Sequence, residues 1–187
     1  MKSQTLKNIM IALGAGILLL ILLFADLATK VWAEEVNVRQ SEYFLGIVRL
    51  WYTTNPGIAF GIFGGNETAM TVMSYVTVVL AVLIALMFFT LFRRNTPVRF
   101  CLAVVEAGAL GNIIDRFSLG FVRDFVDIAP LGFGVCNLAD FFITGGIVAV
   151  LVCILFIGKD AVFPLTKKWR AEAKRENEER DKRHKNA

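Results

Sequence analysis

The stretch AMTVMSYVTVVLAVLIALMFFTLF, residues 69–92, contains no Asp, Glu, Lys or Arg. About 20 consecutive apolar residues are enough to cross the hydrocarbon core of a bilayer as a helix. The stretch therefore predicts a transmembrane helix. The rest of the chain agrees with this assignment, because 56% of its 187 residues are hydrophobic and 19% are charged, whereas soluble domains are about 45–50% apolar.

Three further segments have the composition of transmembrane helices. Residues 9–25 and 141–158 carry no charged side chain, whereas residues 100–114 are interrupted by Glu106 and need their flanks to reach the required length. The first segment is expected to be a retained helix, because no signal-peptide cleavage site leads into a soluble domain. We predict one membrane-embedded domain over residues 1–165 with spans at about 9–31, 69–92, 98–117 and 139–160.

Basic residues are concentrated in three stretches, at 2–7, 93–99 and 167–187. Cytoplasmic loops of membrane proteins carry an excess of Lys and Arg. Both termini are therefore predicted to be cytoplasmic, and the loops at 34–68 and 117–138 are predicted to lie on the outer face.

The tail at 166–187 carries both signs of charge. Nucleic-acid binding is one interpretation of its basic residues, and a solvated or frayed helix is the other. Acidic residues interleave with the basic ones, which favours the helix. They are Glu172, Glu176, Glu178, Glu179 and Asp181. We predict no nucleic-acid partner.

Two aspartates lie beside apolar segments whose ends are predicted to meet at the outer face, Asp124 in VRDF and Asp140 in NLAD. A carboxylate at a membrane edge is costly to place there. Two carboxylates that share one proton can activate water against an amide. This arrangement predicts a membrane-embedded aspartyl hydrolase with Asp124 and Asp140 as the catalytic pair.

Other catalytic chemistries find little support in the residue types. The one histidine, His184, lies in the tail, so Cys136 has no histidine partner to activate it as a nucleophile. The sequence lacks the Cys and His spacings of a zinc site. We therefore expect neither a metal nor a cofactor.

The predicted outer loop at 34–68 is more than a connector. Residues 43–54 are rich in aromatic and β-branched side chains, which favours short strands, and Asn55-Pro56-Gly57 is a turn signal. Apolar side chains follow at Phe60, Ile62 and Phe63. A flap of this kind could bind an extended peptide by its edge, and a plain structural hairpin is the alternative. The predicted fold is an α-helical integral membrane protein with four transmembrane helices and a small extracytoplasmic β-rich flap.

Five short motifs occur in order between about residue 20 and residue 150. They are DLATKVW at 26–32, NPGIAF at 55–60, GALGNIIDR at 108–116, GFVRDFVD at 120–127 and NLAD at 137–140. Together these motifs resemble the motif series of lipoprotein signal peptidase, also called signal peptidase II.

The resemblance implies a function, a location and partners. The family removes the signal peptide from prolipoproteins that carry a diacylglyceryl group, cutting immediately before the lipidated cysteine. It implies a bacterial inner-membrane protein with its active site at the extracytoplasmic face, in contact with membrane lipids. Globomycin-type inhibitors are expected to bind the same cleft.

The resemblance also implies site residues. Asp124 and Asp140 match the catalytic pair of the family. The remaining positions match residues that bind substrate or support the site: Asp26, Lys30, Asn55, Gly57, Gly108, Asn112, Arg116, Asn137 and Ala139.

The residue types leave several of these roles open. Asp26 and Lys30 have three possible roles: they form a local i,i+4 ion pair, they support the loop that carries Asn55, or they contact a lipid headgroup. Asn137 fits a helix cap or a bond to the aspartates. Gly108 fits a close approach of two helices.

Arg116 and its neighbours raise a similar choice. Arg116 fits a contact with a substrate carbonyl, and it also fits a surface ion pair with the adjacent Asp115. Asn112 lies four residues before Arg116, so both can face the same side of a helix. Asp127 fits a loop cap.

Two positions depart from the family pattern. Cys136 stands where the family usually has an aromatic residue, which changes one wall of the site. Glu106 stands where the family usually has an aliphatic residue, and we expect it to face polar partners on another helix.

Two functions from other classes compete with the peptidase. In a small transport subunit the two aspartates would gate a cation, but they lie at the predicted interface rather than midway across the membrane, and no internal repeat links the halves. A non-catalytic lipopeptide-binding protein would share every feature of the groove, so the aspartate pair alone separates it from the enzyme.

Overall fold

The computed structural model describes residues 2–40, 42–56, 67–92, 95–157, 162–163 and 165–185. Its helices and strands follow one another along the chain as α1 Lys2–Val36, β1 Arg49–Asn55, α2 Glu67–Phe89, α3 Thr96–Leu119, β2 Val122–Asp127, β3 Val135–Cys136, α4 Leu138–Phe156 and α5 Lys167–Lys185. A 3-10 turn, Ala129–Leu131, connects β2 to β3.

Four of these helices, α1 to α4, are long and apolar enough to cross a membrane. The sequence-based prediction of a four-helix membrane protein is therefore confirmed. Helix α1 has 35 residues and is about 50 Å long at 1.5 Å per residue, whereas the hydrocarbon core is about 30 Å thick. Its carboxyl end therefore has length to spare for contacts with the sheet.

Helix α3 is the central helix and packs against α1, α2 and α4. More than half of its most apolar window is buried within the protein, whereas the other three spans have at most 17% of theirs buried. Because α3 faces protein rather than lipid, it can carry polar residues, and this explains why its apolar pattern is the weakest of the four.

Glycines allow α3 and α4 to approach closely. A Cβ added to Gly108 would meet the carbonyl of Ala139 and lie 2.9 Å from Ile143 Cγ1, and one added to Gly146 would lie 2.6 Å from Val105 Cγ2. The two helices therefore cross with backbone against backbone. This contact fixes the start of α4 relative to α3.

The sheet has the strand order β1-β2-β3 and both pairs are antiparallel. Thr53 pairs with Asp124, and Val126 pairs with Cys136. Strand β1 runs through Arg49–Asn55, so the predicted strand region at 43–54 is wrong in its first half, where a turn closes on a single bridge between Phe44 and Val48. The predicted turn residue Gly57 and the apolar flap residues after it lie outside the described residues.

Candidate active site

Asp124 and Asp140 are joined through one residue, Asn137. The side-chain amide of Asn137 donates to Asp124 Oδ1 at 2.7 Å, and its backbone N–H donates to Asp140 Oδ2 at 3.1 Å. Asn137 also caps α4, because its side-chain oxygen accepts from the backbone N–H of Asp140. Both roles considered for Asn137 from the sequence are therefore present in one geometry.

Asn112, on α3, contacts the second aspartate. Its side-chain nitrogen donates to Asp140 Oδ1 at 2.9 Å, and its side-chain oxygen accepts from Lys30 Nζ at 2.9 Å and from the Asn137 amide at 3.2 Å. An ammonium group can only donate, so Lys30 requires the oxygen of Asn112 to face it. The nitrogen of Asn112 is then directed at Asp140.

Asn55, the last residue of β1, contacts the carboxyl oxygen of Asp124 that Asn137 leaves open. Its side-chain nitrogen donates to Asp124 Oδ2 at 2.9 Å. Each oxygen of Asp124 thus accepts one amide hydrogen, from Asn55 and from Asn137. These two bonds fix the plane of the carboxyl group.

Asp26 and Lys30 form an ion pair of 2.8 Å between side chains with no exposed surface. Asp26 also accepts a 2.8 Å hydrogen bond from the backbone N–H of Ala139. A contact with a lipid headgroup is therefore wrong, because both side chains are buried. Lys30 supports Asn112 rather than the loop that carries Asn55.

Two of the small residues predicted for the site, Ala139 and Gly108, pack between the helices that carry it. Ala139 is fully buried, and Gly108 lies against its carbonyl. Neither residue lines the cleft described below, so their place here is in packing α3 on α4.

A cleft of about 590 Å³ opens beside the two aspartates. Its polar lining comes from Asp124, Asp140, Asn112, Arg116 and Asn55. The rest of its lining is mostly apolar and extends down the membrane-spanning helices, with Thr77 on α2 and Phe141, Ile143 and Thr144 on α4. The cleft therefore suits a ligand with both a peptide and a hydrocarbon part.

The environment of Asp124 favours its protonated form. Burial first, and then the charge of Asp140, raise the pKa of Asp124 to about 7, while the hydrogen bonds from Asn55 and Asn137 act in the opposite direction. A buried carboxyl beside a like charge holds its proton near neutral pH. The pair is thus suited to carrying one proton between its two members.

Arg116 lines the cleft, one helical turn after Asn112. The surface pair between Asp115 and Arg116 that the sequence left open is wrong. Asp115 is fully buried and binds Arg123 at 2.6 Å and Lys30 at 3.6 Å. The carboxylate of Asp115 is directed away from the cleft because adjacent residues of a helix do not face the same side.

Arg123 was missed as part of the site, and so was Glu34. Arg123 lies next to Asp124 on β2 and binds Asp115 and Glu34. The sequence did contain a signal for Arg123. Neighbouring residues of a strand point to opposite faces. A strand carrying Arg and Asp side by side therefore needs polar partners on both faces.

Cys136 and Glu106, the two departures from the family pattern, have different surroundings. Cys136 lines the cleft, and its thiol donates to the carbonyl of Val126 at 3.3 Å. Burial raises the pKa of Cys136 to about 12, with the charges of Asp140 and Asp124 adding to the effect. Glu106 was expected to face polar partners on another helix. This expectation is wrong for its Oε2 atom, which is buried and makes no hydrogen bond.

Asp127 caps the turn after β2, as one interpretation of the sequence had it. Its carboxylate accepts from the backbone N–H of Ala129 at 2.9 Å and from Arg49 and Tyr43 at 2.8 and 2.9 Å. None of these three partners lines the cleft that holds Asp124 and Asp140. Within the described residues no group of three His, Cys, Asp or Glu side chains is arranged to hold a metal ion.

Fold and site together define a multi-pass membrane protein with a carboxylate pair that lines a largely apolar cleft. Residues 18–156 match the family model described as Signal peptidase (SPase) II. The chain belongs to the signal peptidase II family and is therefore a bacterial membrane protease.

Individual relatives agree with this assignment. The lipoprotein signal peptidase of Caldicellulosiruptor bescii is 35% identical over 140 residues, which are 74% of this chain and 88% of that protein. The lipoprotein signal peptidase of Trichormus variabilis is 36% identical over 134 residues, 71% of this chain and 83% of that protein.

A solved structure has the same fold. It is a bacterial membrane enzyme determined by the in meso method at 2.3 Å resolution, with a TM-score of 0.66 and 24% identity. The match covers 76% of this chain and 87% of that chain.

Proposed function

We propose that this chain is an intramembrane aspartic endopeptidase that removes the signal peptide from diacylglyceryl-modified prolipoproteins, cutting before the lipidated cysteine. The observation that carries the proposal is the placement of Asp124 and Asp140 on either side of Asn137, facing one cleft. The family is a family of peptidases, and two carboxyl groups that share one proton can activate water to hydrolyse a peptide bond. Both considerations support peptide hydrolysis by the aspartate pair.

In the proposed mechanism the pair holds a water molecule and one proton. One carboxylate removes a proton from the water, and the other carboxyl donates a hydrogen bond to the scissile carbonyl. The raised pKa of Asp124 favours Asp124 as the member that carries the proton. When the amide nitrogen leaves, it takes a proton from the pair, which returns to its starting state.

Asn55, Asn112 and Asn137 hold the carboxyl planes in place during this cycle. Such preorganisation lowers the barrier, because the groups need no reorientation when charge develops on the carbonyl oxygen. Arg116 lines the same cleft, and we assign it to binding a peptide carbonyl of the substrate.

We place the site at the extracytoplasmic face of the bacterial inner membrane, with both chain termini in the cytoplasm. The support for this orientation is the distribution of Lys and Arg along the sequence. The apolar part of the cleft, which includes Phe141 and Ile143, is suited to the acyl chains of the substrate. A globomycin-type inhibitor is expected to compete for the same space.

The test compares cleavage of one prolipoprotein with and without its diacylglyceryl group, both held in the same detergent micelles. Binding energy from the remote lipid can position the scissile amide against the water. The lipidated form should therefore be cleaved much faster. Equal cleavage of the two forms would favour a general membrane aspartyl protease, and tight binding without any cleavage would favour a lipopeptide-binding protein.

A further inference from the structure

Arg123 shares the β2 strand with Asp124, but its side chain lies on the other face of the strand. It is 8% exposed. Its Nη2 lies 2.6 Å from Asp115 Oδ1, while its Nε and backbone N–H donate to Asp115 Oδ2 at 3.3 and 3.0 Å. Backbone and side chain of Arg123 thus bind one carboxylate, so β2 is fastened to α3 directly beside Asp124.

The two fully buried carboxylates at this contact are matched by two cations. Asp26 and Asp115 are fully buried anions, and Lys30 and Arg123 are the cations that contact them. Glu34 Oε2 lies 3.1 Å from Arg123 Nη1, and the side chain of Glu34 is 42% exposed. Without Arg123, Lys30 would be left with two buried carboxylates, and an uncompensated buried charge is costly.

The same network reaches the second aspartate. Lys30 lies 2.8 Å from Asp26, 3.6 Å from Asp115 and 2.9 Å from Asn112 Oδ1. Asn112 in turn donates to Asp140. A shift of the Lys30 ammonium group towards Asp115 would therefore weaken its hydrogen bond to Asn112 Oδ1.

We propose that Arg123 is a positioning residue for the aspartate pair. By neutralising Asp115 it leaves Lys30 to hold the Asn112 amide against Asp140, and by fastening β2 it directs Asp124 into the cleft. The proposal rests on the proposed function, because it concerns the residues assigned to that chemistry.

Loss of the Arg123 charge should change the titration of the pair. The charged and titratable groups around Arg123 and the aspartate pair come from every neighbouring element. They are Asp26, Lys30 and Glu34 on α1, Tyr52 on β1, Asp115 and Arg116 on α3, Cys136 on β3 and Asp140 on α4. Removing one cation makes the net charge near both aspartates more negative. A like charge favours the protonated carboxyl, so both limbs of the pH profile should move to higher pH.

The experiment measures kcat/KM against pH for the full chain in detergent with a lipidated prolipoprotein. Arg123→Gln should lower the maximum about 10-fold and shift both limbs upward by roughly 0.5 to 1 pH unit. Arg123→Lys keeps the charge but loses the two-pronged contact, so it should keep the position of the profile and regain part of the rate. Adding Asp115→Asn to Arg123→Gln restores the charge balance and should return the profile towards that of the wild type.

The matched control is Arg49→Gln, which removes another ion pair of the same sheet, to Asp127 at 2.8 Å. It should lower the melting temperature without moving the pH profile. An unmoved profile in Arg123→Gln, with lowered stability alone, would show that Arg123 is a structural fastener and would overturn the proposal.

A second readout needs no cleavage. The carboxyl titration of Asp124 can be followed by ¹³C NMR in aspartate-labelled protein, and Arg123→Gln should raise its midpoint. If the wild type failed to cleave the lipidated substrate, the proposed function would fail, while this titration would still test the role of Arg123. An unchanged midpoint would refute that role.

Discussion

The carboxylate of Asp26 accepts a 2.8 Å hydrogen bond from the backbone N–H of Ala139, a residue 113 positions further along the chain. This bond joins α1 to the first turn of α4, one residue before Asp140. Gly111 provides the space, because a Cβ at that position would meet Asp26 Oδ2. A buried ion pair in the first helix thus helps to fix the position of a proposed catalytic residue in the fourth.

The first prediction concerns the aspartate pair. Asp124→Asn and Asp140→Asn should each lower the cleavage rate by about 10²–10⁴-fold, because an amide keeps the shape of the carboxyl group but cannot cycle a proton. The measurement is cleavage by purified, folded protein. Asp127→Asn is the matched control, since Asp127 lies on the same strand but binds Arg49 and Tyr43, and it should retain most activity. Substantial turnover in either pair variant would remove that residue from the catalytic role.

The second prediction concerns pH. The pKa of Asp124 is raised from 3.8 to about 7, so the carboxyl keeps its proton below that pH and loses it above. Cleavage should therefore decline as the pH rises through about 7. Asn55→Ala removes a hydrogen bond that lowers this pKa, so it should move the alkaline limb to higher pH and slow cleavage by about 10-fold. An alkaline limb that moved to lower pH would contradict the assignment of the proton to Asp124.

The third prediction concerns the contact between α3 and α4. Gly108→Ala places a methyl group against the Ala139 carbonyl and Ile143, and overpacking of this kind costs about 1–3 kcal/mol. A lower melting temperature and reduced activity should result. Gly145→Ala is the control, because a Cβ at Gly145 meets nothing within 4 Å. Equal stability of the two variants would mean that α4 can shift away from α3 at little cost.

The fourth prediction concerns Cys136. With its pKa raised to about 12, less than about one thiol in 10⁴ is ionised at neutral pH, and the thiolate is the reactive form. Treatment with N-ethylmaleimide should leave Cys136 unlabelled by mass spectrometry and cleavage unchanged. Rapid labelling at Cys136 with loss of activity would reveal a more open and less apolar wall of the cleft.

The fifth prediction concerns membrane orientation. Reporter fusions after Gly64 and Pro130 should report the outer side of the membrane, and fusions after Asn95 and at Ala187 should report the cytoplasm. The reason is the position of the Lys and Arg residues along the chain. A cytoplasmic signal from the Pro130 fusion would be incompatible with the proposed extracytoplasmic site.

Much of the fold follows from local composition. A run such as residues 69–92 is a transmembrane helix because a bilayer offers no partner for an unpaired backbone group, so length and hydropathy are sufficient information. Asn137 before Leu138 likewise predicts the start of α4, since a capping side chain acts within one helical turn. The pairing of Asp124 with Asp140 was also available from the sequence, because both flank apolar segments that end at one membrane face.

The partners of the buried charges required the assembled fold. Asp115 is adjacent to Arg116 in sequence but binds Arg123 and Lys30, because the turn of α3 directs neighbouring side chains to different sides. Strand β2 pairs with β1 across some 70 residues, and such pairing depends on which segments meet in space rather than on local pattern. The charge balance that surrounds the aspartate pair is therefore a property of helix and strand packing, and no window of the sequence contains it.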